Sequence, residues 1–146
     1  MIDATVDTDT GEITVDRVVI ACDAGTVINR DGLANQLEGG VVQGLSRALY
    51  EQVRADERGI RSRDWTTYPV LRFDGVPKVQ IIVVDQAGHP PLGAGEAATP
   101  PVSAALANAI DDAVGIRLRQ LPFTPDRTRQ RLLDMSDEEL ERVLVT

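Results

Sequence analysis

The sequence has one cysteine, Cys22, and one histidine, His89. A lone cysteine excludes an internal disulfide framework and any zinc or iron–sulfur site built from several thiolates, and a lone histidine excludes a His-cluster metal site. A metal held directly by this chain would need carboxylates. Aromatic residues make up only 3% of the chain, and no apolar run approaches the ~20 residues that span a bilayer. No basic region precedes an apolar stretch at Met1. The expected location is therefore the cytoplasm, or the periplasm if an exported partner carries the chain. Cations are scarce too: 15 Lys+Arg stand against 23 Asp+Glu, a formal net charge of −8. Such a surface repels phosphate backbones and anionic lipid, which argues against nucleic-acid and membrane partners.

What is present is an ordinary globular composition, 146 residues and 42% hydrophobic, expected to form one domain over residues 1–146 with a real core. Residues 1–12 are polar, with a turn signal at Thr10-Gly11. Ile13–Ala21 is β-branched and partly alternating, a strand that ends at the turn Asp23-Ala24-Gly25. Leu33, Leu37, Val41, Leu45 and Leu49 recur at four-residue intervals and predict a helix over Asp31–Arg54. The charged stretch Glu51 to Arg63 reads as an exposed excursion. Lys78–Asp85 is the clearest strand and is expected at the centre of the sheet.

Gln86 to Gly95 is a Pro/Gly loop, the kind of segment in which function is found. A second helix is predicted over Pro100–Val114, with Thr99 as N-cap, both prolines in the first turn and Gly115 as C-terminal cap. Thr124-Pro125 opens a further helix to about Leu133, and Ser136-Asp-Glu-Glu139 is a capping box. The expected fold class is α+β: a mixed sheet covered by two main helices, with a helical C-terminal tail.

Three features could carry chemistry. Glu96 follows a glycine turn and precedes a helix start, where the helix dipole favours an ionised carboxylate; it is either a poised base or a helix cap facing water. Gly39, Gly40 and Gly44 interrupt the first helix although each costs roughly 0.5–1 kcal/mol relative to Ala there. Something approaches that backbone closely, either a packed neighbouring element or a ligand. Gln36 and Gln43 lie on the same side of this helix and offer amide donors and acceptors to a polar ligand, or to solvent alone. His89 reads as a loop residue without a role and Cys22 as an inert core thiol.

Taken together, Val18–Asn29, Gln36–Leu45, Thr67–Pro77, Gly93–Pro101 and Leu121–Pro125, in that order, resemble the C-terminal part of the molybdopterin-binding subunit of the xanthine dehydrogenase and aldehyde oxidase family. The likeness is strongest to the isoquinoline 1-oxidoreductase branch and covers about residues 11–133. It implies a molybdenum hydroxylase that oxidises N-heterocycles or aldehydes with water as oxygen source. The metal would be carried by the dithiolene of molybdopterin, in the cytosine dinucleotide form. Glu96 would be the general base. Gln36, Gly39, Gly40, Gln43 and Gly44 would pack around the pterin, and Gly93, Ala94 and Gly95 would bring backbone N–H groups to the cofactor.

No metal ligand from the protein is implied. The resemblance also implies partners: the remaining molybdopterin-binding domains, an iron–sulfur subunit and a small-molecule substrate. The isolated chain is expected to be inactive, and the alternative reading is a non-catalytic remnant or assembly domain that keeps the fold and binds no cofactor. The chain departs from the family pattern at Ala24, where relatives often carry cysteine, at Arg30, often proline, and at Ala97, often proline after the base.

Overall fold

In the computed structural model, residues 1–136 are described. Among them five strands and three α-helices follow one another in the order β1 Ile2–Val6, β2 Ile13–Asp23, α1 Arg30–Leu49, β3 Ala55–Asp56, β4 Gly59–Ile60, β5 Lys78–Val84, α2 Thr99–Val114 and α3 Pro125–Leu133. β2 runs antiparallel to β1 and parallel to β5, so the three-stranded sheet is mixed, and β3–β4 is a separate small hairpin. α2 lies over β1, α1 over β5, and the two helices pack on each other. The expected α+β class is what the chain adopts.

Strand alternation explains which face is covered. Val18, Ile20 and Cys22 of β2 stand opposite Val79, Ile81 and Val83 of β5, and Val18, Ile20, Cys22, Val79 and Ile81 join the core formed with Leu37, Val41 and Leu45 of α1 and Val102, Leu106 and Ile110 of α2. All six helix residues are almost wholly buried. On the opposite face Ile82 and Val84 are 43% and 41% exposed. Cys22 packs against the core, as read from the sequence.

Four expectations are corrected. Residues 1–12 contain a strand: Ile2, Ala4 and Val6 turn inward, while Asp3 and Thr5 meet Arg17 and Asp16 on the outer face. The polar outer row hides the alternation in a five-residue strand. Next, β5 is an edge strand and β2 is central among the described residues, because β1 takes β2's other side. The first helix ends at Leu49, not Arg54: both Tyr50 and Glu51 donate to the Ser46 carbonyl, and the apolar period stops there. Val53 is 63% exposed. Finally, Thr99 is the first helical residue, with Ala98 at the N-cap making no side-chain bond, since the Thr99 side chain is buried against α1.

The remaining helix ends follow local rules. Asn29 caps α1 by accepting from Gly32 N at 2.8 Å, and Thr124 caps α3 by accepting from Arg127 N at 3.4 Å. Gly115 closes α2 at φ +69° with its N–H on Asp111 O. The capping box from Ser136 extends outside the described residues. The 51–63 excursion is exposed as expected and is shaped by the β3–β4 hairpin and the Arg61–Asp56 ion pair.

Candidate functional site

The loop after β5 is tied to the turn after β2 before it reaches the glycines. Gln86 N donates to Gly25 O at 3.3 Å, Thr26 N to His89 O at 3.2 Å, and Leu92 N to Ala24 O at 2.9 Å. Thr26 Oγ1 adds a 2.6 Å bond to His89 O. Gly25 is needed here: its φ is +68°, and a Cβ would strike the Pro90 carbonyl. His89 thus acts through its backbone carbonyl, a role its side-chain chemistry could not reveal.

The glycines then stand between two anchors. Upstream is the Leu92–Ala24 bond; downstream, Gln36 Nε2 of α1 donates to Gly95 O at 2.6 Å, and Thr99 N donates to Glu96 O at 3.1 Å. Among the described residues no partner takes the N–H groups of Gly93, Ala94 or Gly95. A Cβ at Gly93 or Gly95 would meet nothing within 4 Å. The loop is therefore held at both ends and bare in the middle, so its amides can turn to a ligand without first breaking bonds to the protein.

Glu96 follows directly, exposed and with no ion pair among the described residues. It lines a cleft of ≈220 Å³ with Gly44, Arg47, Thr99, Pro100, Ser103 and Leu121. Arg47 and Ser103 escaped the sequence reading, although Arg47 sits one helical turn beyond Gly44 on the same side of α1.

The predicted cofactor residues of α1 fall into three groups. Gln36 joins the loop. Gly39 and Gln43 line a groove of ≈550 Å³ with Val42, Leu71, Phe73 and Val76, and a Cβ at Gly39 would meet open space. Gly40 and Gly44 face α2 instead. A Cβ at Gly40 would lie 3.0 Å from Ala98 Cβ, and one at Gly44 would lie 2.8 Å from Val102 Cβ and 3.0 Å from Thr99 O. For these two glycines the close neighbour is a packed helix, so of the two readings left open by the sequence the structure shows packing.

No three His, Cys, Asp or Glu side chains converge among the described residues, and no helix there is long and apolar enough to cross a membrane. An α+β module with a doubly anchored, bare glycine loop that leads into an unpaired carboxylate at a helix start has the form of a cofactor-binding domain. The model of the molybdopterin cofactor-binding domain family matches residues 1–77, more than half of the chain, and the chain belongs to that family. The match holds β1, β2 and α1 and stops short of the Glu96 loop.

The other comparisons extend through that loop. The chain is 45% identical over 130 residues to one of the subunits of nicotinate dehydrogenase from Pseudomonas putida, a match covering 89% of this chain and 11% of that protein. It is 36% identical over 115 residues to the beta chain of isoquinoline 1-oxidoreductase from Brevundimonas diminuta, covering 77% and 14% respectively. Its fold is similar to that of aldehyde oxidoreductase from Desulfovibrio gigas, with a TM-score of 0.79 and 30% identity over 89% of this chain and 15% of that one. The chain thus spans less than a fifth of the length of each of these proteins.

Proposed function

We propose that this chain supplies one wall of the molybdopterin pocket of a molybdenum hydroxylase acting on N-heterocycles or aldehydes, with Glu96 as general base and water as the oxygen source. The observation that carries this reading is the anchored loop itself: three unpartnered backbone amides lead directly into an exposed carboxylate. Family membership supports it. The residues fit the cofactor in kind, because open glycine backbone accepts the flat edge of a pterin and its oxygen or sulfur ligands where a side chain would intrude. When bound, molybdopterin with its molybdenum supplies the two-electron redox chemistry; the cytosine dinucleotide form is part of the proposal.

The chain's own residues have separable tasks. Gly93, Ala94 and Gly95 donate backbone N–H groups to the cofactor. Gln36 holds the loop through Gly95 O, so it positions the loop before it touches anything else. Gly39 and Gln43 extend the contact surface along α1, whereas Gly40 and Gly44 contribute by allowing α1 to approach α2. With the cofactor bound as the two-electron acceptor, Glu96 would be the base that takes the proton of the oxygen delivered to an electron-poor carbon. Nicotinate and isoquinoline, in the names of two relatives, are N-heterocycles, and other relatives are named for aldehydes, so both substrate classes belong to the proposal. Turnover requires the remaining molybdopterin-binding domains and an iron–sulfur electron carrier on another chain or domain, in the cytoplasm.

The test is isolation of tagged chain from its native host, with metal analysis and activity of the assembly. Near-stoichiometric molybdenum with a larger partner is the expected result, and Glu96→Gln should keep that molybdenum while lowering turnover by orders of magnitude. Loss of metal in the variant would make Glu96 structural. A chain recovered without metal or partner would make it a non-catalytic remnant.

A further inference from the structure

We infer that Arg47 selects substrates that carry a carboxylate, holding that group in the Glu96 cleft while the carbon to be oxidised meets the base. The inference rests on the proposed reaction and narrows its substrate class. Arg47, in the last turn of α1, and Ser103, on α2, line the same ≈220 Å³ cleft as Glu96. Pro100 and Leu121 add apolar surface, and Gly44 adds no side chain. Apolar walls with a few polar groups between them suit a small flat ring that is oriented by its substituent.

The guanidinium of Arg47 is exposed and makes no hydrogen bond or ion pair among the described residues. Two carboxylates could have taken it, and neither does. Glu96 shares the cleft but stands outside ion-pair distance. Glu51, four residues beyond Arg47, accepts the Tyr68 hydroxyl at 2.9 Å instead. The Ser103 hydroxyl also has no partner among the described residues. Guanidinium donors and a hydroxyl are therefore unused on the two sides of the cleft. A planar carboxylate fits them: its two oxygens accept parallel bonds from the guanidinium, with a lone pair left for the Ser103 hydroxyl. Electrostatics give the reason for a cation at this place. Glu96 must be ionised to act as a base, so it repels an anionic substrate, and the chain's net charge of −8 adds to the repulsion. Arg47 offsets this at the substrate's carboxylate without tying up Glu96 in an ion pair. A neutral ring gains nothing from Arg47, so the discrimination is between anionic and neutral substrates.

Equilibrium binding to the assembly isolated from the native host tests the assignment. The probes are pyridine-3-carboxylate and its neutral counterpart pyridine-3-carboxamide, read by ligand-detected NMR. The parent should prefer the carboxylate by about tenfold or more, the worth of one charge-assisted bidentate pair. Arg47→Gln should remove that preference and Arg47→Lys should restore part of it. Arg58→Gln, in the β3–β4 turn, removes the same charge and should leave the preference intact. Equal binding of the two probes by the parent, no binding of the carboxylate, or a preference that survives Arg47→Gln overturns the assignment. So does an equal loss of both probes in Arg47→Gln, which is what a structural role would produce. Metal analysis of the same assembly separates this failure from that of the reaction. With molybdenum present, only the Arg47 assignment falls; without it, the proposed reaction falls and takes the carboxylated substrate with it.

Discussion

Alanine at three glycines of one helix should give three different stabilities, because their surroundings differ while their intrinsic propensity does not. In a helix interior Gly→Ala is worth about 0.5–1 kcal/mol of stabilisation. At Gly39 a methyl group enters open space, so the whole gain appears. At Gly40 the nearest atoms would be Ala98 Cβ at 3.0 Å and Thr99 Oγ1 at 3.3 Å; a shift of a few tenths of an ångström accommodates them, and gain and cost nearly cancel. At Gly44 the methyl would lie 2.8 Å from Val102 Cβ and 3.0 Å from both Thr99 O and Val102 Cγ2. One of these is backbone and another is the branch point of a stiff side chain, so α2 must move. Overpacking of this kind costs about 1–3 kcal/mol, which offsets or exceeds the propensity gain and leaves Gly44→Ala up to about 2.5 kcal/mol less stable than the parent. Urea denaturation followed by circular dichroism reads all three, and in thermal melts each kcal/mol moves Tm by about 2–4 °C. The order Gly39→Ala above the parent, Gly40→Ala near it and Gly44→Ala below it is expected. A Gly44→Ala chain as stable as Gly39→Ala would refute the α1–α2 contact as the reason for that glycine.

Other perturbations probe the loop, the sheet and the titrating groups. Gln36→Leu removes the bond to Gly95 O and should cost about 0.5–1.5 kcal/mol, with faster amide exchange confined to residues 93–97. Gly25→Ala forces both a positive φ and a clash with the Pro90 carbonyl, so it should cost more than about 2 kcal/mol and loosen the loop from the β2 turn; a neutral result would disprove that tie. Both tyrosines should ionise above their usual range: the hydrogen bond to Glu51 raises the Tyr68 phenol, and burial, then the charges of Glu12 and Asp74, raises Tyr50. A phenol whose folded pKa is raised stabilises the fold fully below the unfolded value near 10 and loses that contribution as pH climbs through the folded one. Spectrophotometric titration of tyrosinate should show the two transitions, and Glu51→Gln should return only that of Tyr68 toward normal. Ile82→Lys should reduce self-association in light scattering, because it places a charge on an exposed apolar row of an edge strand; unchanged scattering would point to another surface.

Local signals were enough for much of this fold. The four-residue leucine and valine period gives α1 its buried face, Gly115 ends α2 because only a residue tolerant of φ +69° fits there, and Thr124 caps α3 with its own hydroxyl. The β-branched runs give β2 and β5. Each of these depends on residues a few positions apart, so the chain's covalent geometry already relates them. The glycine loop and Glu96 were legible for the same reason, as a bare turn beside a helix start.

Tertiary structure decided the rest through contacts between distant residues. Whether β5 is central or an edge depends on where β1 pairs, and β1 is hidden by the polar row of Asp3 and Thr5. Whether a helix glycine faces a ligand or a neighbour depends on the path of α2, which takes up the space beside Gly40 and Gly44 but leaves Gly39 open. Gln36 and Gly95 are 59 residues apart, and Gln52 and Arg127, which share a hydrogen bond, are 75 apart. Sequence fixes the local conformations and the family-wide pattern of residues; which side chains share a cleft is set by packing, because burial of the apolar faces selects one arrangement of the elements and brings the polar groups together as a consequence.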